Sequence, residues 1–138
     1  MLASSAATEA ITVHLETQGD VVVLRHRVRE HALELGFSLL DQTKIVTAAS
    51  ELGRNAITYG GGGEAMIESL HDGRRIGIAL TVTDHGPGIA DVEQAMRPGF
   101  TTGSGLGYGL SGTKRLVDEF EIQSQVGVGT TVRIARWR

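Results

Sequence analysis

Between Asp84 and Gly112 the chain runs DHGPGIADVEQAMRPGFTTGSGLGYGLSG. An acid precedes Gly86-Pro87-Gly88, and the far end carries glycine at every second position, Gly103, Gly105, Gly107 and Gly109, then Gly112. Glycine loses more backbone entropy on folding than any other residue, so this density does not serve stability. It marks backbone that must bend at φ > 0 or come close to another group with no Cβ between them. The usual such group is a phosphate, gripped by backbone N–H groups and a following helix N-terminus. The stretch reads as a nucleotide site, with an acid and glycines at one end and a phosphate-gripping lid at the other. Five glycines between Gly99 and Gly109, with few apolar anchors, predict a lid over 98–111 that is mobile without nucleotide and orders around phosphates.

Better-known phosphate loops do not fit. No segment gives the P-loop pattern G-x-x-x-x-G-K-S/T. Gly107, Gly109 and Gly112 form a G-x-G-x-x-G, but it follows GFTTGSGL instead of a strand, which rules out the dinucleotide fingerprint. HRD and DFG are both missing, which excludes a eukaryotic-type protein kinase. A net charge of −3 argues against a nucleic-acid binder with a broad basic face. With no cysteine there are no disulfides and no thiolate chemistry, a composition suited to a reducing cytoplasm. No run approaches 18 apolar residues, so no membrane span is expected. The scattered His14, His26, His31 and His71 have no ligand spacing, and no zinc is expected.

Residues 1–9 read as a disordered tip and 10–138 as one domain. Ile11, Val13 and Leu15 alternate with polar residues, a half-buried strand. Asp20 is placed to cap a helix over 21–35 that Gly36 stops, although Val21-Val22-Val23 leaves its start soft. A second helix is expected over 41–59, ended by the glycines at 60–63. Strands at 65–70 and 75–83 flank a turn at Asp72-Gly73. Short helices follow near 91–97 and 109–118, and a hairpin of 120–126 with 130–137 closes the chain. The order β-α-α-β-β-α-α-β-β predicts an α+β, two-layer sandwich: a mixed, mostly antiparallel sheet with helices on one face.

The second helix carries Glu51 and Asn55, four residues apart and so on one side of it, about 6 Å apart along the axis. Alone, E-x-x-x-N is an ordinary polar edge. Its combination with D-x-G-x-G and the glycine lid changes that. Mg²⁺ takes hard oxygen ligands and keeps several waters, so one Asn carbonyl oxygen plus nucleotide phosphates suffices. A carboxylate one turn away can orient or deprotonate an attacking hydroxyl. Asp84, ahead of Gly86-Pro87-Gly88, by itself also fits an acid in the turn that ends a strand.

Ser50-Glu51-Leu52-Gly53-Arg54-Asn55, Asp84-His85-Gly86-Pro87-Gly88-Ile89, Gly103-Ser104-Gly105-Leu106-Gly107-Tyr108-Gly109-Leu110 and Gly129-Thr130-Thr131 together resemble the four ordered motifs of the GHKL ATP-binding fold. That superfamily includes the ATPase domains of histidine kinases, gyrase and Hsp90 and the bacterial anti-sigma serine kinases. The resemblance implies ATP and Mg²⁺ as cofactors, Asn55 on the metal and Glu51 as the catalytic carboxylate. It implies Asp84 on the adenine amino group and Gly86 and Gly88 admitting the base. Gly103, Gly105, Leu106, Gly107 and Gly109 would wrap the phosphates, and Thr130 would lie near the adenine. Within the superfamily the chain is most similar to RsbT-like switch kinases, from its size, its short lid and the run Thr113–Phe120. They phosphorylate serine or threonine on STAS-domain scaffold and antagonist proteins of the stressosome, and activate a PP2C-type phosphatase. No nucleic acid or membrane partner is implied.

The longer lid of related anti-sigma kinases, with its basic residue near the phosphates, is not present; Arg54, Arg97 and Lys114 remain candidates for that charge. His85 reads as an exposed polar filler, and Arg25-His26-Arg27-Val28-Arg29 as a solvated helix face. Tyr59 and Trp137 fit either docking or core packing. Intact Glu51 and Asn55 favour a protein kinase over a nucleotide-gated binding module, such as an anti-sigma factor or phosphatase activator. A detached histidine-kinase ATPase domain is disfavoured, because no helical segment offers a phospho-accepting His hairpin.

Overall fold

The two hairpins form where alternation and turn residues place them. A computed structural model describes residues 7–100 and 108–138. Its elements are β1 (Ala7–Leu15), α1 (Gln18–Glu34), α2 (Leu39–Thr58), β2 (Gly63–Asp72), β3 (Arg75–Asp84), α3 (Val92–Ala95), α4 (Leu110–Arg115), β4 (Glu119–Gln125) and β5 (Gly129–Trp137). β1 thus begins inside the stretch expected to be a disordered tip.

The strands form one five-stranded sheet in the order β1-β2-β3-β5-β4. The expected mixed sheet is corrected: all four pairings are antiparallel. β3 and β4 run in the same direction, and a crossover joining them as neighbours would have been parallel. Instead the last strand, β5, turns back from β4 and takes the place beside β3.

Alternation then sorts the side chains. Val13 and Leu15, Ala65 and Ile67, Ile78, Leu80 and Val82, and Val132 and Ile134 point to one face, where they meet the helices in a single core. α1 contributes Leu24, Val28 and Ala32, and α2 contributes Ile45, Ala48, Ala49, Leu52 and Ala56. Each large aliphatic side chain so buried is worth about 1.5–3 kcal/mol. The small residues on α2 allow close packing: a Cβ on Gly53 would lie 3.1 Å from Leu24 of α1. On the other face, Trp137 covers a small cluster of Leu70, Ala79 and Ala135, and Arg75 lies 4.0 Å over its ring.

Both long helices start earlier than the sequence reading placed them. Asp20 is not the cap of α1 but sits in its first turn, where Oδ2 accepts hydrogen bonds from the amides of Thr17 (2.9 Å) and Glu16 (2.8 Å). These charge-assisted bonds hold the Asp20 carboxyl below its ordinary pKa. They also seal the helix ahead of Val21-Val22-Val23, which are helical and not strand. Ser38 caps α2, its hydroxyl accepting from the Asp41 amide at 3.2 Å. Arg25, His26 and Arg27 lie on the exposed face of α1, while Val28 turns into the core.

Candidate active site

The C-terminal half of α2, the end of β3 and the start of β5 converge on one cavity. Its floor is apolar, built from Leu52 and Ala56 of α2, Val82 of β3, Ile122 of β4 and Val132 of β5, and Leu110 adds a wall. Four expected site residues line it: Asn55, Asp84, Gly88 and Thr130. Tyr59 and Tyr108 form its aromatic side, their rings 4.6 Å apart and tilted by 60°. Phe100 stacks on Tyr108 at 5.9 Å. Burial raises the Tyr108 hydroxyl above its ordinary pKa, and neighbouring Tyr59 adds to the shift.

Asp84 is the last residue of β3, paired with Gly63 on one side and Thr130 on the other. Alternation from Val82 turns its side chain to the helix face. One oxygen, Oδ1, accepts from the Gly86 amide at 2.9 Å, the turn that an Asp-x-Gly sequence favours. The space Asp84 fills exists because residue 60 is glycine; a Cβ there would strike the carboxyl carbon. A Cβ on Gly86 would in turn meet the Gly60 backbone at 2.5 Å. Gly88, at φ +77°, lies against the Gln125 carbonyl, and the Gly127 amide bonds to the Pro87 carbonyl at 3.0 Å. The neighbours that forbid side chains on Gly86 and Gly88 are therefore the protein's own backbone, which holds the acid loop against Gly60 and the β4–β5 turn. His85 is exposed.

Behind Thr130, the Ser124 hydroxyl lies 2.7 Å from its Oγ1 and accepts from the Ile89 amide at 2.7 Å. Ser124 was missed in the sequence, yet its spacing from Phe120 and Ile122 puts it on the helix face. Tyr59, which by sequence fits either docking or core packing, follows Asn55 by four residues at the end of α2 and lines the cavity beside it.

Asn55 shows the clearest sign of a ligand. Its Nδ2 donates to the Tyr108 carbonyl at 2.6 Å, which fixes the amide's orientation. Its Oδ1 is buried and has no hydrogen-bond partner among the described residues. A buried acceptor left unmade is costly, so the site is built for a donor or a cation. Among the described residues no group of three His, Cys, Asp or Glu could hold a metal ion. A Mg²⁺ on Asn55 would therefore take its remaining oxygens from nucleotide and water, and the orphaned Oδ1 fits that role.

One turn earlier, Glu51 pairs with Arg54, Oε2 to Nη2 at 2.9 Å. Gly109, the residue before α4, has φ +66°, and a Cβ on it would approach Glu51 Oε2 to 2.5 Å. A second cavity opens here, lined by Arg54, Arg97, Phe100, Gly109 and Ser111, and it meets the first at Leu110. Of the three candidate cations, Arg54 and Arg97 line it and Lys114 lines neither cavity. Gly103, Gly105, Leu106 and Gly107 lie outside the described residues, as does half of the lid expected over 98–111.

A family model described as histidine kinase-, DNA gyrase B- and HSP90-like ATPase matches residues 40–138. The serine/threonine-protein kinase RsbT of Bacillus subtilis is 44% identical over 125 residues, 91% of this chain and 94% of its own length. An anti-sigma F factor of Anoxybacillus flavithermus is 35% identical over 119 residues, covering 81% of this chain and 80% of that one. Among solved structures, one of the RsbU and RsbW domains of a Mycobacterium tuberculosis protein matches 95% of this chain and 33% of that one, with a TM-score of 0.68 at 23% identity. The catalytic domain of the histidine kinase ThkA matches at a TM-score of 0.53 and 18% identity, over 94% of this chain and 95% of that one. At such identities the two structures speak for the fold alone.

Proposed function

The chain belongs to the histidine kinase-, DNA gyrase B- and HSP90-like ATPase family as an RsbT-like serine/threonine kinase related to the anti-sigma F factors, and on that premise we propose that it transfers the γ-phosphate of ATP, with Mg²⁺, to a serine or threonine of a STAS-domain scaffold or antagonist protein in bacterial stress signalling. A PP2C-type phosphatase is the second partner in this reading, and the cytoplasm is the compartment. The resemblance to RsbT-like kinases supports both partner classes. No helix among the described residues is long and apolar enough to cross a membrane.

The observation that carries the reading is the orphaned Oδ1 of Asn55, one helical turn from Glu51, in a cavity that Asp84 also lines. Asp84 accepts from the adenine amine, and the aromatic and aliphatic walls sandwich the base. Asn55 and the second cavity lie along the phosphates. Bound Mg²⁺ supplies charge neutralisation at the phosphate oxygens. Glu51 orients the substrate hydroxyl and takes its proton. The hydroxyl oxygen bonds to the γ-phosphorus as the bond from that phosphorus to the bridging oxygen breaks, and ADP leaves. Positioning and electrostatics dominate such transfers, so the share of a base is modest, about 10²-fold at the low end of the range for general bases.

A second reading, a nucleotide-gated binding module without transfer, is favoured by one observation: Glu51 is tied to Arg54. Single-turnover transfer from labelled ATP to a captured STAS-domain protein, measured beside nucleotide binding, separates the two. Asn55→Ala is expected to weaken Mg²⁺-dependent binding and abolish transfer. Glu51→Ala is expected to bind ATP normally and transfer more slowly. Transfer at the wild-type rate by Glu51→Ala removes its catalytic role, and no transfer by the wild type to any partner leaves the binding module.

A further inference from the structure

We infer that Arg54 is the side chain that recognises the terminal phosphate, and that until this phosphate arrives the same guanidinium keeps Glu51 occupied. The inference rests on the nucleotide reading above and deepens it. Arg54 stands between Glu51 and Asn55 on α2, a helix of 20 residues packed into the core, so its Cα is fixed relative to both. It lines the second cavity, which shares Leu110 with the first, where Asn55 and Asp84 sit. In the structure described here its Nη2 is 2.9 Å from Glu51 Oε2.

The side chains of Arg54 and Glu51 keep 34% and 36% of their exposure. Pairs this open to water contribute little stability, so exchanging one anionic partner for another is cheap. A guanidinium presents five donors in a planar fork that matches phosphate oxygens bidentately. A γ-phosphate in the second cavity therefore competes well for Arg54, and its capture frees Glu51 to face the substrate hydroxyl. ADP places nothing there, and Glu51 stays paired. The carboxylate is thus released only when the transferable group is present. Arg97 lines the same cavity but is exposed and follows the short α3, so it lacks this fixed relation to Glu51.

The test is titration of ATP and ADP, each with Mg²⁺, into the wild type, Arg54→Ala, Arg54→Lys, Arg97→Ala and Asp84→Asn, with thermal unfolding to verify that each variant folds. The wild type is expected to prefer ATP. Arg54→Ala is expected to lose about 10-fold or more in ATP affinity while ADP affinity stays within about twofold, the loss typical of a charged hydrogen bond. Arg54→Lys, with charge but no fork, is expected to fall between. Asp84→Asn is expected to weaken both nucleotides alike. If Asp84→Asn behaves so but Arg54→Ala keeps the wild-type ATP-to-ADP ratio, the nucleotide reading stands and the role of Arg54 is overturned. Loss of the ratio in Arg97→Ala alone overturns it as well, and a wild type that binds neither nucleotide overturns both.

Discussion

Asp84 commits one carboxylate oxygen to the Gly86 amide, and its Oδ2 makes no hydrogen bond among the described residues. The first oxygen sets the turn, and the second is the one a ligand can use. Asn at this position keeps a carbonyl oxygen for the turn but presents an NH₂ where an exocyclic amine needs an acceptor. Asp84→Asn is therefore expected to cost about 1.5–3 kcal/mol of ATP binding with little change in fold. Calorimetric titration checks this, and equal affinity of the wild type for ATP and GTP would sink the adenine assignment. Asp84 and Asn55 were legible as candidates because each is a side chain with its own chemistry at a telling spacing, and the structure brings both to one cavity; Glu51, read in the same way, stands one turn from Asn55 beside Gly109. Gly60 was not legible, since its role is to leave room for a carboxyl 24 residues on, a fact of tertiary approach. Gly86 was legible as a necessary glycine, but the group that comes close to it is Gly60, a contact no local pattern encodes.

Arg136 shows how separate elements are held in register around the site. From the helix face of β5 its Nη2 bonds Asp41 Oδ1 in the first turn of α2 at 2.7 Å, and its Nη1 bonds the Leu116 carbonyl just past α4 at 2.9 Å. The Arg136 hydrogen bond holds the Asp41 carboxyl below its ordinary value of 3.8. A depressed folded-state pKa means that the stability contributed is fully present above the unfolded value and is lost as pH falls through the lower, folded one. Asp41→Asn is expected to destabilise by about 1–2 kcal/mol at neutral pH, since the pair is partly open to water. The gap between variant and wild type is expected to close as pH drops below about 4. Urea unfolding at pH 7 and pH 3 measures both; a gap that persists undiminished at pH 3 assigns the cost elsewhere. The same acids explain where the sequence reading misplaced helix starts. Asp20 and Asp41 each follow a hydroxyl residue by three positions, Thr17 and Ser38, a capping-box spacing in which the hydroxyl residue and not the acid sits at the cap.

Across the whole molecule the two-layer arrangement followed from counting hairpins and helix pairs, but the sheet order did not. Local alternation says that a segment is a strand and which residues share a face. It does not say that β5, the last strand, inserts between β3 and β4. That choice brings Thr130 opposite Asp84 and so completes the cavity from strands well separated in the sequence. A ligand in this cavity touches α2, β3, β4 and β5 together, so its binding opposes global unfolding and not just local opening. At 100 times Kd, a ligand that binds only the folded state adds about 2.7 kcal/mol, which for a domain of this size is a rise in Tm of roughly 5–15 °C. ATP with Mg²⁺ is expected to raise Tm by that amount and GTP by clearly less at the same concentration. In Asn55→Ala the increment that depends on Mg²⁺ is expected to vanish, while a smaller one, from base and Asp84 contacts alone, survives. A thermal scan with and without a chelator reads all three. An Asn55→Ala variant that keeps the full Mg²⁺ increment would place the metal on other residues, and the buried Oδ1 would then need a different partner.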